Sequence, residues 1–314
     1  MLIKMNSNKK FFSKIGFNYL IYIISSLIIT IIIANIIAAT KPEIINNINI
    51  STVISAICNY ILPLPILIHL MNKIKSTRPG IHKINIKTFL KYLCITITLM
   101  WIGNLTGTII TTILGGAIQS DISNPIQNLI NSTDIWLNLL LISIIGPIFE
   151  EFFFRKLLID RTIVYGAKVS IILSAVIFGL VHGNLNQFFY SALIGGFLGY
   201  VYIKTGRITY TIALHMIINL IGSVVSLSLN NSISSLSTGT INPIALIFVI
   251  SYFTMLIISL FIGISSIWDY KKAKFNGEKT EINLKNPLKT VFLNTGMICF
   301  VLFFIIKMIL QAIS

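Results

Sequence analysis

The chain has 314 residues, of which 55% are hydrophobic and only 11% charged, and it carries a formal net charge of +15 with a mean hydropathy of +0.88. A soluble domain of this size could not hide so much apolar surface in one core, so the composition points to a polytopic membrane protein and excludes a soluble catalytic domain. The positive charge suggests nucleic acid at first sight, but no basic run is interleaved with aromatics, and no nucleic-acid partner is expected.

In chain order, apolar runs near the ~20 residues that cross a bilayer occur at roughly 17–40, 50–71, 89–116, 135–158, 168–186, 188–203, 209–229, 242–268 and 291–313. The predicted fold is an all-α, polytopic transmembrane helix bundle of about nine spans, or eight if the short sixth run does not cross. The first run follows Lys4, Lys9, Lys10 and Lys14 as a signal peptide would. It exceeds the ~7 to 15 apolar residues of such a peptide, so it is taken as a retained span.

The basic residues set the expected topology. Lys73, Lys75, Arg78, Lys83 and Lys87 lie in the loop 72–88, and six lysines lie between Asp269 and Lys289. The alternate loops 119–134 and 230–241 carry no Lys or Arg. Nine spans threaded from a cytoplasmic N-terminus place every basic loop inside and only Lys41 in an outside loop, with the C-terminus out. Anionic lipid is the expected partner of the basic cytoplasmic loops. The bias toward Ile, Asn and Lys suggests an AT-rich bacterial genome, hence a multi-pass protein of the bacterial plasma membrane. Cys58, Cys94 and Cys299 fall within spans without disulfide or metal spacing and are taken as small buried apolar residues.

Against this background the stretch "GPIFEEFFFRKLL" stands out. Of nine acidic residues, only Glu150 and Glu151 lie within an apolar span. Of four histidines, His182 and His215 lie within spans five and seven. A charged side chain at a helix centre costs at least ~2.5 to 3.5 kcal/mol, so these groups are expected to face one another or a polar cavity. On a helix Glu151 and Arg155 are four apart and can pair, whereas Glu150 points about 100° away with no cation at that spacing. Gly146 and Pro147 should loosen the helix and free backbone carbonyls. Phe178 shares a face with His182, and His215 with Asn219. Gly195, Gly196 and Gly199 should let span six approach its neighbours.

Taken singly, each feature also has a structural reading: a hydrogen-bonded histidine, an asparagine bridging two helices, an interfacial ion pair, glycine packing. Taken together, a free glutamate, two histidines and an asparagine supply a base, donors and a polar cavity.

The three motifs "EEFFFR" (Glu150, Glu151, Arg155), "FGLVH" (Phe178, His182) and "HMIIN" (His215, Asn219) resemble, in order, the EExxxR, FxxxH and HxxxN motifs of the CAAX protease and bacteriocin-processing family. This family is also called the Abi family of intramembrane proteases. The resemblance covers Thr133 to Ile221 and implies three parts: N-terminal helices 1–132, a catalytic CAAX protease-like helical core 133–221, and C-terminal helices 222–314 with the basic loop 269–289. It implies an intramembrane endopeptidase, related to the type II CAAX prenyl endopeptidases, acting on a membrane-associated peptide or protein. By analogy Glu150 and His182 activate a water, His215 and Asn219 stabilise the oxyanion, and Glu151, Arg155 and Phe178 support them. No cofactor is expected, since HExxH is absent; if zinc were bound, Glu150, His182 and His215 would hold it. A cavity open to the cytoplasm is expected between spans four, five and seven.

Two other classes stay open at this stage. One is a non-catalytic scaffold or bacteriocin self-immunity protein of the same family. The other is a secondary transporter using the same groups as a proton relay, although no inverted repeat is visible. Serine and aspartyl intramembrane proteases are disfavoured because neither GxSG nor GxGD occurs.

Overall fold

The computed structural model describes residues 2–119, 122–237, 242–272 and 282–313, with 2–5 and 267–272 described by backbone alone. Asp121, Glu278, Glu281 and the 273–281 part of the expected basic loop lie outside the described residues. All regular structure among the described residues is helical. The principal helices are α1 (Leu2–Thr40), α2 (Ile48–Asn72), α3 (Ile86–Ile118), α4 (Ile135–Tyr165), α5 (Ala167–Val181), α6 (Leu185–Thr205), α7 (Ile208–Ser237), α8 (Pro243–Lys272) and α9 (Thr295–Ile313).

Seven of these, all but α5 and α6, are long and apolar enough to cross a membrane. The chain is a polytopic all-α membrane protein, for which the expected nine is an approximate span count. At ~1.5 Å per residue, the 15 residues of α5 reach about 22 Å, short of the ~30 Å hydrocarbon layer. The apolar run 168–186 looked longer because it continues through the turn. Gly183 adopts φ +67 and the side chain of Asn184 accepts from the Gln187 N–H, so the chain reverses there and α6 starts at Leu185. His182 is therefore the residue that ends α5, not one within a span.

Hydrogen bonds between loops show that they collect on two opposite faces. On one face Thr77 N–H donates to the Asp160 carbonyl, His82 N–H to Thr205, and Ile282 N–H to Val164. The first two join the basic loop 72–88 to the ends of α4 and α6, and the third joins Ile282 to the end of α4. On the other face Asp134 N–H donates to Asn49 Oδ1, and both Asn186 and Gln311 donate to the Ser123 carbonyl. This alternation agrees with the threading drawn from the lysines.

Two apolar clusters build the bundle. One takes Phe12, Tyr19, Leu67, Phe153, Phe154, Phe178, Phe300 and Phe304 from α1, α2, α4, α5 and α9. The other takes Ile95, Ile194, Leu198, Leu214, Ile218 and Tyr252 from α3, α6, α7 and α8. Isoleucines such as Ile28, Ile31 and Ile32 on α1 and Ile247 and Ile257 on α8 stay exposed, as lipid-facing residues should. Of the small residues in "GGFLGY", Gly195 makes the closest approach: a Cβ there would lie 2.7 Å from the Phe178 ring. Gly103 on α3 does the same against the Tyr190 backbone, at 2.2 Å.

Candidate active site

The seam between the two clusters is where the polar residues meet. It begins with a backbone irregularity in α4. Pro147 has no N–H, and the Gly146 N–H reaches back five residues to Leu141, so residues 138–145 form wide, π-type turns. The Ile142 carbonyl, normally the acceptor of Gly146, is freed. Asn219 of α7 donates its Nδ2 to it at 2.9 Å. Beside it, Ser143 and Ser223 hydroxyls meet at 2.9 Å. Wide turns recur at Phe152–Leu157 and at Ile221–Val225, directly after Glu151 and after the Asn219 turn.

Glu151 and Arg155 form the ion pair that the i, i+4 spacing predicts. Both side chains are fully buried, with Nε 3.0 Å from Oε2 and Nη2 donating to Oε1 at 3.2 Å. Arg155 also donates to Ser174 Oγ at 2.8 Å, and its guanidinium sits 5.1 Å from the centre of the Phe178 ring. Glu151 has a second partner: His215 Nδ1 lies 2.9 Å from Oε1. A carboxylate only accepts, so that nitrogen carries the proton and Nε2 is the nitrogen turned to Glu150, at 3.6 Å from Oε2. The other oxygen of Glu150 accepts a hydrogen bond from Tyr60 Oη at 2.7 Å.

His182 is tied in the same manner. Its Nδ1 donates to the Phe178 carbonyl at 2.8 Å, which leaves Nε2 free. The Phe178 ring stands edge-on between the two imidazoles, 4.9 Å from His182 and 5.7 Å from His215, centre to centre.

Glu150, His182, His215 and Asn219 all line one cavity of about 660 Å³. Tyr60, Gln187, Tyr190 and Lys307 line it too. Its outer wall is made by Ile48, Ser51, Ser55 and Asn59 of α2 and by Asn124 and Gln127. Asn124 and Gln127 belong to the lysine-free segment 119–134, and Ile48 follows the loop that carries Lys41, so this wall lies away from the basic loop 72–88. Taken with the lysine-based threading, this lining lies toward the outer face, where the sequence reading expects a cytoplasmic opening. The expectation comes from the short distance between Arg207 and His215 along the chain.

A catalytic zinc needs three protein ligands. Among the described residues no three His, Cys, Asp or Glu side chains converge on a metal-sized site. Glu150 and His215 face one another, but His182 does not complete a triad of ligands with them.

The comparisons agree with the motifs. A family model for the type II CAAX prenyl endopeptidase Rce1-like proteins matches residues 132–221. That central segment is the one that carries the three motifs resembling the CAAX protease and bacteriocin-processing family. Over 119 residues the chain is 29% identical to a Bacillus subtilis (strain 168) protein named "Putative membrane peptidase YdiL", covering 37% of this chain and 47% of that protein. The match thus spans about half the length of this relative. No solved structure matches the chain.

Of the cavity residues that escaped the sequence reading, Tyr60 and Lys307 lie outside the family segment. Tyr60 left no signal, since a tyrosine in an apolar run is ordinary. Lys307 did leave one: it is a basic residue inside the last apolar run, and the rule that singled out the glutamates applies equally to it.

Proposed function

We propose that the chain is an intramembrane endopeptidase that hydrolyses a peptide bond of a membrane-associated peptide or protein, using a water activated at Glu150. The arrangement around that carboxylate carries the reading. One oxygen is held by Tyr60, and the other is left facing His215 Nε2 at 3.6 Å inside a cavity of an apolar bundle. The family of the central segment and the name of the Bacillus subtilis relative support it.

The chemistry assigned to each group follows from what it is free to do. Glu150 Oε2 takes a proton from the water, whose oxygen attacks the carbonyl carbon of the substrate. His182, proton on Nδ1, presents the Nε2 lone pair and helps hold that water. The charge that develops on the carbonyl oxygen is met by the second N–H of Asn219, the first being committed to Ile142, and by His215, whose Nε2 takes that proton on from Glu150 across the 3.6 Å contact and gives it back before the C–N bond breaks. Glu151 stabilises that imidazolium and fixes its orientation. The C–N bond then breaks as Glu150 returns its proton to the leaving amine. No step requires a metal.

The test compares peptides released from membranes that hold the wild-type chain or Glu150→Gln. A set of peptides sharing a cleavage position should appear with the wild type and vanish with the variant. Release that is identical in both would leave the scaffold or immunity reading in its place. A strong zinc chelator adds a second arm: cleavage should survive it, and loss that added zinc restores would make the protein a metalloprotease.

A further inference from the structure

We propose that Lys307 reads the substrate: its ammonium binds a carboxylate of the peptide within about three residues of the bond that is cut. The proposal rests on the endopeptidase reading above and adds to it a substrate class and a direction of binding. Lys307 lies within α9, outside the family segment 132–221, where a cation in an apolar span is costly unless something answers it. It lines the cavity and is exposed to it. The end of its side chain lies along the turn after His182, because a Cβ on Gly183 would fall 2.7 Å from Lys307 Cε and 2.8 Å from Nζ. A lysine that merely snorkels to lipid headgroups would point along α9 toward the nearer end of the span; this one points at the cavity wall.

What is missing around it defines the ligand. Lys307 and Glu150 are the charged lysine, arginine, aspartate or glutamate side chains on the cavity lining, and Glu150 is engaged by Tyr60 and faces His215. No carboxylate among the described residues pairs with Lys307. The wall toward the mouth offers only uncharged polar groups, Ser55, Asn59 and Gln127 among them. An anionic substrate group is therefore drawn to Lys307 and repelled from Glu150, which orients the chain so that a peptide bond, not a carboxylate, meets the base. An extended residue covers ~3.4 Å, and the ring centres of His182 and His215, 4.9 and 5.7 Å from that of Phe178 between them, are spanned by about three residues. The carboxylate has two possible sources, an Asp or Glu side chain or a free carboxyl terminus.

The experiment uses the full chain in lipid nanodiscs and a random-sequence peptide library, in free-acid and C-terminally amidated forms, with cleavage read by mass spectrometry. Peptides with a carboxylate within about three residues of the cut should be enriched about tenfold or more among wild-type products, as expected for a hydrogen-bonded charge pair. Lys307→Met should bring the enrichment to about one, Lys307→Arg should keep it, and Lys307→Glu should favour Lys and Arg instead. Enrichment that disappears on amidation assigns the free terminus; enrichment of Asp and Glu that survives amidation assigns side chains. Wild-type cleavage without enrichment, or enrichment that Lys307→Met retains, overturns the proposal while the peptidase reading stands, and leaves Lys307 a lipid-facing cation. If the wild type cleaves nothing, the peptidase reading fails, and binding of the acid and amidated libraries to the wild type and Lys307→Met decides the site separately. Preference for acid that Lys307→Met abolishes keeps it, and equal binding ends it.

Discussion

His215 Nδ1 lies 2.9 Å from Oε1 of Glu151, so the glutamate that neutralises Arg155 also holds the histidine facing Glu150. The i, i+4 spacing alone would give Glu151 a purely structural task. The contact across to α7 gives it a second one, because the tautomer and direction of His215 depend on it.

Glu151→Gln should therefore lower both stability and activity. Removing one side of a buried ion pair costs about 3 to 5 kcal/mol in soluble proteins, and Arg155 would lose its only charged partner among the described residues. Melting temperature and peptide cleavage measured in one detergent should both fall. A variant as stable as the wild type would show that Arg155 is satisfied by Ser174 and Phe178 without the carboxylate.

Tyr60→Phe tests the other side of the site. It removes the donor to Glu150 Oε1 and keeps the ring that stacks on Phe149 at 5.5 Å. A hydrogen bond to a charged group contributes about 1.5 to 3 kcal/mol, so turnover should drop by about tenfold or more with little change in melting temperature. Unchanged turnover would mean that Glu150 needs no help from α2.

Gly183→Ala should destabilise the fold, since φ +67 disfavours any side chain and the new Cβ would meet Lys307. Strain of this type costs on the order of 1 to 3 kcal/mol. Gly196→Ala is the control: its nearest neighbour, Ala175 Cβ, would lie at 3.5 Å, an ordinary contact. Thermal unfolding of the two variants should differ, and equal melting temperatures would contradict the turn at 182–184.

The direction of the cavity is open to chemical labelling. In a chain lacking its native cysteines, Ser55→Cys should react with an impermeant maleimide added outside cells, and Lys83→Cys only after the membrane is opened. The reverse pattern would turn the bundle over and return the mouth to the cytoplasm.

Much of this site was legible in the sequence because membrane depth makes polar residues conspicuous. Glu150, Glu151, His182, His215 and Asn219 stood out against apolar runs, and helical spacing alone paired Glu151 with Arg155. The warning given by Gly146 and Pro147 was also sound, since the carbonyl they free is the one Asn219 takes. What periodicity could not show was contact between helices. That His215 touches Glu151, that Tyr60 reaches Glu150, and that Lys307 lies on Gly183 depend on how α2, α4, α7 and α9 pack. The end of α5 was hidden for a related reason: apolar residues continued across Val181, His182 and Gly183, and only the φ of Gly183 marks the reversal.

The central claim is that Glu150 is the base that activates the hydrolytic water, and the most direct measurement is the rate of peptide cleavage by purified wild type and Glu150→Gln, each shown to be folded by its melting temperature. Loss of general-base catalysis lowers rates by about a hundredfold or more, so the variant should cleave at no more than about a hundredth of the wild-type rate while melting at nearly the same temperature. Cleavage by a folded Glu150→Gln at the wild-type rate would contradict the account.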